Sequence, residues 1–127
     1  EQHQVAYSIA TDVGGGTSFS MLQTLSEAYK VTQMKGNKLS PLKSLYLATL
    51  GNAKTLQLED KIGSFKTGNE ADFVVLDFNS TAIMSLKQSK CKTLAEKLFA
   101  MIILGDDRAV EATYVAGKCA HKRDVDQ

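Results

Sequence analysis

Three consecutive glycines, Gly14-Gly15-Gly16, cut the N-terminal third of the chain into two segments that cannot belong to one regular element. Glycine gives up more backbone freedom on folding than any other residue, so such a run belongs where a chain turns sharply or passes close to another group. Ahead of it, Val5 to Ala10 mixes Val, Ala, Tyr and Ile and reads as a short, mostly buried strand. Behind it, Thr17 or Ser18 offers an N-cap hydroxyl. Met21, Leu22, Leu25, Ala28, Tyr29 and Thr32 then recur at helical spacing, and Gly36-Asn37 supplies the stop. The pattern of strand, glycine turn and helix is one βα unit and places the chain in the α/β class.

A second helix opens at Ser40-Pro41, with Ser as N-cap and Pro at the first helical position, where its missing N–H is harmless. Leu42, Leu45, Tyr46 and Thr49 line one face, Gly51 interrupts it, and helix resumes over Ala53 to Leu56. The polar stretch Glu59-Asp60-Lys61 reads as a surface link. Beyond it, Ile62 to Gly68 suggests a tight, glycine-punctuated β arc, and Ala71 to Asp77 a buried strand whose apolar residues run on without alternating. Asn79-Ser80-Thr81 reads as a loop. Thr93 caps a helix with Leu94, Leu98, Met101 and Ile102 on its face and Gly105 at its end. Val110 to Val115 is a strand, and Ala116-Gly117-Lys118 turns it into a short return strand at Cys119-Ala120.

With 127 residues, 43% hydrophobic and 23% charged, the chain has enough apolar surface to offset its ordering entropy, which excludes disorder as its ground state. Fifteen basic against fourteen acidic side chains leave a formal charge of +1, so nothing electrostatic points to nucleic acid or an anionic membrane surface. Cys91 and Cys119 are too few for a disulfide framework, and without secretory features a lone bridge between them is disfavoured. The longest apolar run, Leu98 to Leu104, is too short to span a bilayer. A soluble, cytoplasmic chain is expected, and Glu1 in place of Met points to processing or to a longer parent.

The richest chemistry lies in Thr11-Asp12-Val13-Gly14-Gly15-Gly16-Thr17-Ser18. An aspartate at the C-terminal end of a buried strand sits where α/β folds place reactive groups. Its carboxylate can ligate a metal and move protons, and the glycines let the backbone approach a ligand. The competing reading makes Asp12 a loop residue that caps the helix beginning at Thr17–Met21, and spacing alone favours it. The glycines could also cradle an anion, but the G-x-G-x-x-G spacing is absent, and Gly51-Asn52-Ala53-Lys54-Thr55 lacks the glycine a phosphate loop needs before Lys54. His3 and His121 stand singly and read as surface residues. Lys87, Lys90, Lys92 and Lys97 read as a solvated helix rim, and the four methionines as core.

Thr11 to Leu22 resembles the segment after the last barrel strand of the guanine deaminase family, within the metal-dependent amidohydrolase superfamily. The likeness continues through Ser44 to Ala53 and Ile62 to Asp77, the latter shared across the superfamily, and through Leu94 to Phe99, Leu104 to Arg108 and Tyr114 to Lys118. It implies the C-terminal part of a metal-dependent hydrolase (β/α)8 barrel joined to part of a small β-rich composite domain. Residues 1–61 would be the last βα segment of the barrel with its following helices, and 62–127 the C-terminal part of the β-rich domain with one helix. It implies a parent enzyme of purine catabolism that uses zinc to convert guanine and water to xanthine and ammonia. Asp12 would be both its metal-binding and its catalytic carboxylate, taking a proton from zinc-activated water and passing one to the leaving amine. Gly14, Gly15 and Gly16 would form the loop that reaches the substrate.

The family's His-x-His and its other metal-binding histidines have no counterpart here, and one carboxylate cannot hold a catalytic zinc that needs about three protein ligands. The chain alone is therefore expected to be inactive and to bind no zinc of its own. Another amidohydrolase deaminase acting on a different heterocycle, or a non-catalytic β-rich oligomerisation domain, are the alternatives. A barrel segment without its neighbours would leave Leu22, Leu25, Tyr29, Leu42 and Leu45 bare, so a homo-oligomer is expected.

Overall fold

The computed structural model describes residues 7–124 and contains five helices and one three-stranded sheet among them. Helix α1 (Met21–Met34) is capped by Ser20, whose Oγ accepts from the Gln23 N–H at 3.4 Å. The cap is neither Thr17 nor Ser18: the glycine turn carries the chain past both, and the Ser18 Oγ accepts instead from the Ser20 N–H at 2.9 Å. Gly36, at φ +75°, takes the left-handed conformation that ends the helix.

Helix α2 (Pro41–Ala48) starts as its sequence dictates, with Ser40 Oγ accepting from the Lys43 N–H at 3.2 Å and Pro41 in the first turn. Its buried residues are Ser44 and Leu47, not the expected stripe of Leu42, Leu45, Tyr46 and Thr49; Leu42 is 57% exposed. Burying Ser44 is inexpensive because its hydroxyl donates back to the Ser40 carbonyl at 3.0 Å. Thr49, at φ −123° and ψ −102°, breaks the helix, and α3 (Leu50–Thr55) follows the break. The break depends on Gly51, since a Cβ there would stand 2.8 Å from the Tyr46 carbonyl oxygen.

The stretch Ile62–Gly68 forms bends and turns rather than a β arc. Strand β1 (Phe73–Leu76) is shorter than expected and antiparallel to β2 (Val110–Val115), which pairs with β3 (Lys118–Lys122). A continuous apolar run normally signals burial on both faces, but this small sheet keeps one face open and Val74 is half exposed. Phe73 and Tyr114 face each other in register and stack with ring centroids 4.5 Å apart. Ala116 and Gly117, both at positive φ, make the two-residue turn between β2 and β3 that matches strand twist.

Between β1 and β2 lie two helices. Helix α4 (Ala82–Gln88), capped by Thr81, has no helical signal in its apolar spacing: Met84 and Gln88 are buried while Ile83 and Leu86 face outward. Helix α5 (Leu94–Leu104) begins on a capping box, Thr93 Oγ1 accepting from the Glu96 N–H and the Glu96 carboxylate from the Thr93 N–H, and ends at Gly105. Two backbone hydrogen bonds, from Lys92 and Thr93, hold the Glu96 carboxyl below the usual carboxylate range.

Helix α5 is the element around which the helices gather; α1, α2 and α4 all pack on it. Leu22, Met84, Met101 and Ala109 form the core, with Leu76, Phe78 and Leu104 around them. Complete burial of Met84 or Met101 stabilises by about 2 kcal/mol each. Leu22 and Leu25 are therefore covered within the chain, and Tyr29 meets Phe99 edge to face at 4.9 Å. The expectation that the apolar face of α1 stands bare is corrected: α5 supplies the cover.

Candidate functional site

Tyr7 to Ala10 form no strand, and the rest of the expected strand, Val5 and Ala6, lies outside the described residues. No described strand runs beside the segment to complete a ladder. Residue 9 is held instead from the α2–α3 corner: the Ile9 N–H donates to the Leu47 carbonyl at 3.2 Å, and the Asn52 amide donates through Nδ2 to the Ile9 carbonyl at 2.8 Å.

Three residues further on, the backbone reverses. Asp12 sits at φ +49°, and its carbonyl accepts from the N–H groups of Gly15 at 3.0 Å and Gly16 at 2.5 Å. A left-handed conformation costs a side-chain-bearing residue about 1–2 kcal/mol, and aspartate is among the few that adopt it routinely. Gly14, at φ +116°, completes the reversal. A Cβ on Gly16 would lie 1.9 Å from the Thr11 carbonyl oxygen, so no side chain fits there. On Gly15 it would lie 2.7 Å from the Asp12 Oδ2, so that glycine leaves room for the carboxylate itself.

Asp12 is exposed. It does not cap α1, which removes the competing structural role, because Ser20 does so. Among the described residues no basic side chain forms an ion pair with it, and no group of three or more potential ligands assembles to hold a metal. The arrangement presents one carboxylate, unpaired among the described residues, on a hydrogen-bonded turn, able to supply one oxygen ligand or accept a proton.

The other candidates stay apart. Gly51 to Thr55 lie within α3, not in a phosphate loop. His121 is exposed on β3, His3 lies outside the described residues, and Cys91 and Cys119 are free thiols. The four lysines at 87, 90, 92 and 97 are solvated. A polar groove of about 850 Å³ lies between Asp77, Arg108, Glu111 and the end of β3, and no residue of the glycine turn lines it. No helix among the described residues is long and apolar enough to cross a membrane. Sequence reasoning did not single out Asn52, whose partner lies 43 positions away and leaves no short-range pattern.

Residues 2–120 match the model of the amidohydrolase family, and the chain belongs to that family. Within it the chain matches the C-terminal part of guanine deaminases. It is 49% identical over 122 residues to the guanine deaminase of Escherichia coli (strain K12), covering 96% of this chain and 28% of that protein. The solved structure of the E. coli guanine deaminase superposes with a TM-score of 0.92 over 94% of this chain and 28% of that one. The crystal structure of guanine deaminase from Bradyrhizobium japonicum does so with a TM-score of 0.89 at 38% identity, covering 96% of this chain and 32% of that one. The chain thus spans about 28% of the length of the curated relatives it matches.

Proposed function

We propose that this chain is the C-terminal part of a zinc-dependent guanine deaminase, which hydrolyses guanine with water to xanthine and ammonia. The observation that carries the reading is the 49% identity to a guanine deaminase along 96% of the chain. In that reading residues 1–61 finish a (β/α)8 barrel and residues 62–127 complete a small β-rich domain. Asp12 is its contribution to the reacting centre.

An exposed carboxylate with no ion-pair partner among the described residues is the hard oxygen donor that zinc accepts, so Asp12 fits as one ligand of such a site. Three protein ligands are ordinary for a catalytic zinc, and the others belong to parts of the enzyme outside this chain. When bound, zinc lowers the pKa of water toward neutrality. Asp12 holds the proton taken from the attacking water at its free carboxylate oxygen and delivers one to the departing amine, so that ammonia leaves neutral. Gly14, Gly15 and Gly16 carry the backbone round the turn, and Gly15 leaves the space this exposed carboxylate occupies.

The experiment is Asp12→Asn in the full-length enzyme, which keeps the shape and removes both the charge and the proton acceptor. Turnover of guanine should be abolished with only modest loss of stability. Near-normal turnover would return Asp12 to a structural role. The 127-residue chain by itself should release no ammonia from guanine; zinc-dependent release that disappears in Asp12→Ala would overturn the reading of an incomplete centre.

A further inference from the structure

We infer that Asn52 is a positioning residue for Asp12; the inference rests on the reading of Asp12 as the zinc-binding, proton-moving carboxylate. Among the described residues, the segment that delivers Asp12 is held by two hydrogen bonds from one corner of the helical layer. The Leu47 carbonyl takes the Ile9 N–H because the break at Thr49 ends α2; in an unbroken helix that carbonyl would serve the N–H four residues on. Asn52, in the first turn of α3, reaches across to the Ile9 carbonyl at 2.8 Å, and both groups are partly buried, where a lost partner is expensive.

Residue 9 is thereby fixed on both its N–H and its C=O. Three residues later the carbonyl of Asp12 is fixed by the Gly15 and Gly16 N–H groups. The two clamps leave Ala10 and Thr11 as the connection, so the direction in which the Asp12 carboxylate leaves the turn is set from both sides. Asn is suited to the task because the amide donates at neutral pH, whereas aspartate of the same shape cannot. Gly51 shares in the device: its missing Cβ lets α3 start close against Tyr46, which brings Asn52 to Ile9.

The test uses the full-length enzyme with four variants: Asn52→Ala, Asn52→Asp, Asp12→Asn and, as a control, Thr55→Val. The control removes a hydrogen bond of 2.9 Å inside α3 without touching Ile9. Zinc retention against a chelator, amide hydrogen exchange over residues 9–12, and kcat and KM for guanine are measured for each. Partners that orient a metal ligand are commonly worth about 10–100-fold, so both Asn52 variants should lose zinc about tenfold more readily and lose kcat to a similar degree. KM should change by less than about threefold, and exchange at 9–12 should rise, as befits lost orientation rather than lost binding. Thr55→Val should match the wild type in zinc retention. If Asn52→Asp behaves as wild type, Asn52 only fills space and the inference is overturned. If both Asn52 variants keep zinc and kcat while Asp12→Asn loses them, the positioning role is overturned and the role of Asp12 stands. If Asp12→Asn keeps both, the two readings fall together. Should Asn52→Ala fail to fold, the isosteric Asn52→Asp decides alone.

Discussion

Arg123 closes an ion pair on Asp77, Nη2 to Oδ2 at 2.8 Å, and so ties the residue after β3 to the residue after β1. The same side chain donates to the Arg108 carbonyl, and the Arg123 N–H donates to the Glu111 carbonyl at 2.8 Å. Asp77 also accepts from the Asn79 N–H at 2.8 Å. Asp77 thus couples the two edge strands of the sheet, at one end of it, to the loop that leads into α4.

The Arg123 hydrogen bond, then the Asn79 N–H, hold the Asp77 carboxyl below its ordinary value of 3.8. A depressed carboxylate stabilises fully above the ordinary value, and that stabilisation is lost as the pH falls through the folded-state pKa. Arg123→Met should therefore destabilise by at most about 1 kcal/mol at pH 7, since both partners are partly solvated. Urea unfolding of the two proteins from pH 7 down to pH 3 should show the difference shrinking on the acid side. A difference that is constant with pH would mean that Arg123 acts through packing and its backbone partners instead.

Gly15 and Gly16 make opposite demands. At Gly16 a Cβ meets backbone, which cannot yield, so Gly16→Ala should cost more than about 2 kcal/mol. At Gly15 it meets only the Asp12 carboxylate, which can rotate away, so Gly15→Ala should cost less than about 1 kcal/mol. In the full-length enzyme that small change should nonetheless lower turnover sharply, because the carboxylate is displaced. Thermal melting beside guanine turnover checks both statements; a Gly15→Ala enzyme of normal activity would separate the glycine from the carboxylate.

The chain on its own should self-associate. Its α1 face is covered, but Phe19, Met34 and Phe65 are each more than four-fifths exposed, and Ile83 and Leu86 share an uncovered face of α4. Lys118 and Lys122 on the outer strand discourage edge pairing at β3, which directs association to the apolar side chains. Light scattering at micromolar concentration should give a mass above that of one chain. A monomer that binds no more hydrophobic dye than an ordinary globular protein would show that these residues need no further cover.

Much of the fold was legible locally. Ser40-Pro41, Thr93 and Gly105 set helix ends through bonds spanning three or four residues, so the stretch of chain that forms each end also encodes it. The β2–β3 hairpin was legible for the same reason, its turn residues lying next to the strands they join. Helix α4 was not, because its apolar residues face outward and its helical period has no inward stripe.

At the site, the sequence by itself determined that an aspartate precedes three glycines and that such a turn can present a carboxylate, since both are properties of adjacent residues. Only the tertiary structure decided that Asp12 does not cap α1, that Gly15 spares space for its carboxylate, and that Asn52 holds Ile9 across 43 positions. The same holds for Leu22 and Leu25, whose apolar spacing foretold a buried face but not α5 as its cover. Hydrogen bonds and packing between distant segments depend on where the chain returns, and that is a result of all its contacts together rather than of any one stretch.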